Sequence, residues 1–401
     1  MMKKTIIIIS ALIYTVIMYG QSSFEVLLEA KALSKNGEPL KAIEFLSSAI
    51  AKTPDSRLLL ERAEAYMLEG DYPKAMDDYS AANSLSDHSG DFGLARIYAL
   101  KGEVAESVRY LEMNLSSSFR KSEKEILMDP AFSRIENTPG WRQFWKKDWY
   151  SDLETGISEV EYYMSVNRKE DASEILSGLD GLYKGNDEVI YANALLYLSS
   201  GKPSEAIRIL TGITAAEPVK EKYLRLLAKA QTEASNPAGA SLTYSRLLSL
   251  EIPDADLLIL RAGCYRKTGE TDKAMADVEK YLSLYPRDKT ALSLAGRIKE
   301  ASGDNLKAVE YFTDNIKYHP WDPECYIDRA NSYLLLKSWE WATRDYSMSL
   351  DLDPSNSDAW LNKGIARVNS GNTEDACHDF RQSLKLGNKK AAGYISRYCI
   401  K

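Results

Sequence analysis

Residues 323–356 read PECYIDRANSYLLLKSWEWATRDYSMSLDLDPSN, and this stretch decides the fold because its main features return every 34 residues. Apolar side chains recur at helical spacing over residues 324–337 and again over 339–350, which predicts two helices. The joint between them is short, so the helices must be antiparallel. Asp353 and Pro354 end the second helix, because the residue before a proline is pushed out of the α region.

Small residues recur where the two helices of each pair are expected to cross. One series steps by 34 residues through Ala172, Ala206, Ala240, Ala274, Ala308, Ala342 and Ala376. A second series keeps the same step twelve residues earlier, through Val160, Ala194, Ala228, Ala262, Gly296, Ala330 and Gly364. A large side chain at these places would hold the backbones apart. Such a repeat predicts an array of stacked helical hairpins, since no hairpin can bury its apolar face alone.

This pattern resembles the tetratricopeptide-repeat (TPR) family, whose 34-residue unit has small residues at positions 8 and 20, an aromatic residue at 24 and proline at 32. The matching residues in the last two units are Ala330, Ala342, Tyr346, Pro354, Gly364, Ala376 and Phe380. The resemblance implies an all-α fold, a TPR α-solenoid in which antiparallel helix pairs form a right-handed superhelix. It says little about function, because the repeat is a scaffold used for many partners.

The repeat register predicts five segments along the chain. They are a signal peptide (1–20), an N-terminal block of about three repeats (23–118), a non-repeat helical insert (119–150), a C-terminal block of seven repeats (153–388) and a capping helix (389–401). In the insert we predict one helix over residues 122–128 and another from Pro139 with Trp141, Trp145 and Trp149 on one face. These tryptophans are interpreted as packing between the two repeat blocks, and a ligand-binding aromatic surface is the alternative.

The first twenty residues resemble an export signal. Lys3 and Lys4 precede an apolar run over residues 5–18, and the small residue Gly20 precedes a plausible cleavage point. We therefore predict a bacterial protein that is periplasmic or secreted, with no membrane span after cleavage. The alternative is an uncleaved segment that anchors the chain in the inner membrane. The formal net charge of −7 argues against general binding to nucleic acid.

Residue constellations that support catalysis or cofactor binding are not found in the sequence. The three histidines lack partners at metal-ligand spacing, and there is neither a glycine-rich phosphate loop nor a Ser/His/Asp arrangement. We predict no catalytic residue, metal or cofactor. Cys264 and Cys325 are predicted to be separate buried thiols. Cys377 and Cys399 lie on helices expected to be neighbours, so a disulfide is possible between them, with two reduced thiols as the alternative.

The TPR resemblance implies that positions 2, 5, 6, 9, 12 and 13 of each first helix face a concave groove. Cations and amides at these positions are Arg225, Lys229, Arg266, Lys267, Arg297, Asn331 and Asn362. Guanidinium and amide groups suit carboxylates and peptide backbone, so we predict a groove for an extended peptide with acidic groups or a free C-terminus. The alternative is that these charges merely solvate the inner side of the array.

The sequence thus predicts a non-catalytic protein–protein interaction scaffold of the bacterial cell envelope, which binds a partner protein or extended peptide. An enzyme or glycan-handling protein that uses the tryptophan-rich insert is the alternative, and an inert spacer or self-assembling scaffold is a third class. Neither the partner nor the oligomeric state follows from the sequence.

Overall fold

The computed structural model describes residues 22–399, and every regular element within this range is helical. The predicted all-α stack of helical hairpins is confirmed. The predicted signal peptide, residues 1–20, lies outside the described residues. Within residues 22–399, no helix is both long enough and apolar enough to cross a bilayer.

The chain forms two compact units, the first ending at Ala255 and the second beginning at Asp256. Three hairpins open the first unit: α1 (Ser23–Lys35) and α2 (Pro39–Ile50), α3 (Ser56–Glu69) and α4 (Tyr72–Leu85), α5 (Asp91–Lys101) and α6 (Val104–Leu115). The insert contains α7 (Glu123–Leu127), a 3-10 helix (Pro130–Arg134) and α8 (Pro139–Phe144). Three further hairpins follow: α9 (Asp152–Ser165) and α10 (Lys169–Leu182), α11 (Asp187–Ser199) and α12 (Pro203–Thr214), α13 (Glu221–Glu233) and α14 (Pro237–Ser249).

The second unit contains four hairpins and a terminal helix. They are α15 (Asp256–Thr268) and α16 (Thr271–Leu284), α17 (Lys289–Ala301) and α18 (Asn305–Tyr318), α19 (Pro323–Leu335) and α20 (Trp339–Leu352), α21 (Ser357–Asn369) and α22 (Thr373–Lys385), then α23 (Ala391–Tyr398). The boundary between the units falls inside the predicted segment 153–388. At this boundary the repeat is irregular: the proline that follows α14 is Pro253, one residue later than the 34-residue spacing predicts.

Small residues do bring the two helices of each hairpin together. All seven alanines of the 34-residue series have no exposed surface. The facing residues are matched in size, because a Cβ added to Gly296 would lie 2.4 Å from a ring carbon of Phe312, and one added to Gly364 would lie 2.5 Å from Phe380. Where the facing residue is Leu176, the larger Val160 is buried in the same core cluster.

A bidentate ion pair also joins the two helices in three hairpins. Arg62 with Asp78, Arg261 with Asp277, and Arg329 with Asp345 form these pairs, each across 16 residues of sequence. The Arg329 guanidinium donates to both carboxylate oxygens of Asp345 at 2.7 and 2.8 Å, and Asp345 is almost fully buried. Parallel hydrogen bonds of this kind add directional strength to the apolar crossing.

The insert packs on the third hairpin through an aromatic core. Trp141 and Phe144 are buried there together with Phe132, and Trp145 and Trp149 pack against them half-buried. The prediction of one helical face with all three tryptophans is wrong, because α8 ends at Phe144. The Trp149 indole N–H donates to the Phe144 carbonyl oxygen at 2.8 Å, and this bond satisfies a carbonyl group at the end of the helix.

The terminal helix α23 covers the apolar end of the last hairpin. Ala391 is fully buried in a cluster with Phe380, and the Tyr394 ring stacks on Phe380 at 5.1 Å between centroids. Cys377 of α22 and Cys399 at the end of α23 are joined in a disulfide, with their Cα atoms 5.6 Å apart. The terminal helix is therefore held by apolar burial and by a covalent link.

We expect Gly296→Ala to lower the free energy of unfolding by about 1–3 kcal/mol, because the new methyl group must displace the Phe312 ring in a packed core. Gly263→Ala is the matched control: this helical glycine has open space around it, so alanine is expected to be neutral or to stabilise by up to about 1 kcal/mol. Urea unfolding midpoints of the two variants measure the difference. Equal midpoints for the two variants would contradict the size matching of Gly296 and Phe312. Adding Phe312→Leu to Gly296→Ala should restore part of the lost stability.

We expect denatured but unreduced protein to contain two free thiols, those of Cys264 and Cys325, because Cys377 and Cys399 are bonded. Cys399→Ser should lower the stability of the second unit by about 3 kcal/mol, the value that chain entropy predicts for a loop of this length. Titration with a thiol reagent and thermal unfolding test the two statements. Finding four titratable thiols would show that the bond is absent.

Candidate binding surfaces of the first helices

First helices of successive hairpins lie side by side in each unit, and polar side chains bridge from one to the next. We call this polar side of the first helices the inner face. In the second unit, Asp328 accepts hydrogen bonds from Ser293 at 2.6 Å and from Arg297 at 2.9 Å. Ser332 in turn donates to Glu300 at 2.5 Å. Each of these bonds joins neighbouring repeats. Arg297, which was predicted to bind a partner, therefore also stabilises the stacking of the repeats.

In the first unit the inner face is likewise internally bonded. Glu188 of α11 accepts from Lys220 at 2.6 Å, from Lys222 and from the Tyr223 hydroxyl at 3.0 Å. Its pKa is lowered: burial opposes the shift, and the hydrogen bonds from the two lysines outweigh it. A single carboxylate thus fixes the start of α13 against α11.

The predicted cations of the first unit differ in their availability. Arg225 is already engaged, since it donates to Glu221 within its own helix and lies 2.8 Å from Asp254. Lys229 lies one turn further along α13, is exposed and forms no ion pair within residues 22–399. Of the two, Lys229 is the one that can meet a partner without breaking an existing bond.

The predicted cations of the second unit divide in the same way. Arg297 is half exposed and is neutralised by Asp328. Arg266 and Lys267, at the end of α15, form no ion pair among the described residues, and Lys267 is exposed. The Nε atom of Arg266 is buried without a hydrogen-bond partner in the described structure. Among the predicted groove cations of this unit, those without an ion pair are therefore Arg266 and Lys267.

The two predicted asparagines meet at one tyrosine. The hydroxyl of Tyr346, a side chain with no exposed surface, donates to the Asn331 amide oxygen at 2.6 Å. Burial raises the pKa of Tyr346, and a hydrogen bond with Asn362 partly offsets the rise. Both amides are half-buried and anchored by the same hydroxyl. They form a fixed pair of polar groups at the edge of the inner face.

Acidic groups accompany this amide pair. Burial raises the pKa of Glu300, against the hydrogen bond from Ser332, and Asp328 raises it further. Partial burial and Asp328 likewise raise the pKa of Glu324. The carboxylates here are thus only partly neutralised by Arg297. The inner face of the second unit changes from basic near residue 267 to acidic and amide-rich near residue 331.

A partly buried charge network near the start of the chain was not predicted from sequence. The Tyr79 hydroxyl donates to Glu64 at 2.5 Å, and Arg96 binds both oxygens of Glu64 and lies 3.0 Å from Asp129 of the insert. Beside it, burial raises the pKa of Glu61 to about 6. The signal that could have been recognised is Glu64 and Arg96 at equivalent positions of successive first helices.

The tryptophans of the insert do not form an open aromatic platform. Trp141 is 5% exposed and packs edge-on against Trp145 and obliquely on Phe144. Trp149 also packs on Phe144, at 5.0 Å between centroids. Trp141 is thus buried in an aromatic cluster with Phe144, and Trp145 and Trp149 are partly covered by the same cluster. Within residues 22–399 no cluster of three or more histidine, cysteine or acidic side chains has metal-binding geometry.

Comparisons with known proteins find the same repeat. Residues 27–89 and 255–288 match family models described as the tetratricopeptide repeat. The chain is 24% identical over 167 residues to a DnaJ homolog subfamily C member 7 homolog of Schizosaccharomyces pombe, covering 37% of this chain and 34% of that one. It is 35% identical over 83 residues to the human Protein SGT1 homolog, covering 21% of this chain and 23% of that one. The chain thus spans about a third or less of the length of these two relatives.

Among the solved structures that match this chain is a tetratricopeptide repeat protein from Parabacteroides merdae. It is 19% identical to this chain, covers 61% of it and 98% of its own length, and has a TM-score of 0.48.

We expect Glu61→Gln to stabilise the protein at pH 7 by up to about 2 kcal/mol, the equivalent of a pKa raised from 4.5 to about 6. A carboxyl whose pKa is raised by folding binds its proton more tightly in the folded state, so stability rises as pH falls from about 6 towards 4.5. Urea unfolding at pH 5 and pH 7 should show a smaller pH dependence in the variant. Glu44→Gln, at an exposed position of α2, is the control. An unchanged pH dependence in Glu61→Gln would contradict the assignment.

Proposed function

The chain belongs to the tetratricopeptide-repeat family, and we propose that it is a non-catalytic scaffold in which the inner face of each unit can bind an extended segment of a partner protein. Stacked helical repeats typically bind other proteins through such continuous surfaces. The surface would be formed by first helices, whose apolar sides are already used in the hairpins. The polar sides of the first helices are therefore available to bind a partner.

The anchored amide pair is the observation that supports this proposal most directly. Asn331 and Asn362 share the buried Tyr346 hydroxyl, so their amide groups are held in place before a ligand arrives. An amide offers both a donor and an acceptor, the combination that an extended peptide backbone requires. Preorganisation of this kind reduces the entropy lost on binding.

Charge along the inner face suggests what the partner segment contains. Arg266 and Lys267 on the inner face of the second unit suit acidic side chains or a free C-terminal carboxylate, and Lys229 on the inner face of the first unit suits the same groups independently. Arg225 and Arg297 would act differently, because each is held by carboxylates of this chain. We assign them to positioning of the surface rather than to direct capture.

We place this activity in the bacterial cell envelope. The predicted signal peptide over residues 1–20 is one support, and the disulfide between Cys377 and Cys399 is a second, since such bonds persist in oxidising compartments. Cleavage of the signal would release the chain into the periplasm or beyond, and an uncleaved segment would anchor it at the inner membrane. A glycan-handling role finds no support in the insert, whose tryptophans pack on one another.

The test is affinity capture from bacterial envelope extract on the full chain, followed by mass spectrometry. We expect Lys229→Glu and Lys267→Glu each to weaken retention of the captured partner about tenfold, because each reverses an exposed charge at the surface. Lys385→Glu is the matched control, because it reverses an exposed charge on α22, the second helix of the last hairpin. This variant should retain the partner. If both inner-face variants retain the same partner as the control, binding through this face is ruled out.

A further inference from the structure

A cleft of about 500 Å³ lies in the first unit between the insert and the first helices that follow it. Arg120, Lys121 and Glu123 line it from the insert, and Glu161 of α9 and Glu188 of α11 line it from the repeats. Its volume is within the range typical of ligand sites. None of the seven residues predicted for the groove lines this cleft.

All four cations of the cleft are already bonded to groups of this chain. Lys121 pairs with Glu125 at 2.9 Å, and Arg120 donates to the Trp149 carbonyl oxygen at 2.7 Å and lies 3.5 Å from Glu154. Lys220 and Lys222 both bind Glu188. An anionic ligand would therefore meet cations whose charge is already shared with a carboxylate of this chain.

Two carboxylates of the cleft are left over. The lining contains five glutamates and four cations, and neither Glu123 nor Glu161 forms an ion pair or hydrogen bond within residues 22–399. Both side chains are half-buried, so their charge is only partly screened by water. Because Lys220 and Lys222 share Glu188, the five glutamates and four cations leave the lining with a net formal charge of −1, and the unpaired carboxylates are those of Glu123 and Glu161.

The aromatic groups beside the cleft already accommodate cations. The Lys222 ammonium lies 4.6 Å from the centre of the Tyr191 ring, and the Arg120 guanidinium lies 5.1 Å from that of Tyr150. Cations stack favourably on such rings. The internal pairs illustrate the kind of contact that a lysine or arginine head group makes with tyrosine rings near these glutamates.

We propose that this cleft receives a lysine or arginine side chain of a partner protein, with Glu161 and Glu123 as the groups that bind its charge. The site is separate from the residues assigned above to the capture of acidic groups. It goes beyond the proposed function, because it would give a partner segment a basic contact on the first unit. Glu188, Glu154 and Glu125 hold the cleft's own cations and so leave the two unpaired carboxylates to the ligand.

The test is fluorescence anisotropy on the full chain with three labelled eight-residue peptides of Gly and Ser that contain two Arg, two Gln or two Glu. At about 0.15 M salt, where long-range attraction is screened, we expect binding of the Arg peptide and much weaker binding of the other two. Glu161→Gln and Glu123→Gln should each weaken the Arg peptide about tenfold. Thermal unfolding of each variant checks that the fold is retained.

Glu159→Gln is the matched control, because Glu159 is exposed on the same helix and does not line the cleft. It should change the affinity less than twofold. Equal weakening by Glu159→Gln would overturn the proposal in favour of the general negative field of the chain, as would absent Arg-peptide binding or tighter binding of the Glu peptide. Lys267→Glu should leave Arg-peptide binding unchanged, so failure of this site and failure of the inner-face proposal are distinguishable.

Discussion

Close approach of two helices at a pair of small residues is the constraint on which each repeat depends. With alanine or glycine at both crossing positions, the facing side chain at the next turn can be as large as Phe312 or Phe380 and still be buried. The buried apolar residues of both helices pack in this contact and against the neighbouring hairpin. What is left on the first helices is a polar side that is free to vary without loss of the core.

That polar side has two tasks that compete for the same groups. Asp328 and Glu188 each bind donors on a neighbouring first helix, so they set the spacing of the repeats. Because of these bonds, Arg297 and Lys222 are already paired with carboxylates of this chain. Binding is therefore expected from residues left out of the internal network, such as Lys229, Lys267 and Glu161.

The insert changes the local surface because it breaks the repeat. Its aromatic core packs on the third hairpin through Trp141 and Phe144, and Arg96 of that hairpin reaches Asp129 of the insert. A regular hairpin would continue the inner face in this place. The insert instead places Arg120 and Glu123 opposite α9 and α11, and a cleft with unpaired carboxylates results.

The sequence alone determined the hairpins, because a 34-residue spacing of Ala308, Ala342 and Ala376 follows from local periodicity and from the need to bury a small residue at each crossing. It also predicted the closeness of Cys377 to Cys399, which the disulfide confirms, and it predicted a set of groove cations that stays a prediction. Tertiary structure decided which charges are free, since Arg297 meets Asp328 only when one repeat is stacked on the next. Only the tertiary structure showed that α8 ends at Phe144 and that a cleft forms at Glu161. Both features depend on contacts that the insert makes, and the insert does not follow the 34-residue repeat.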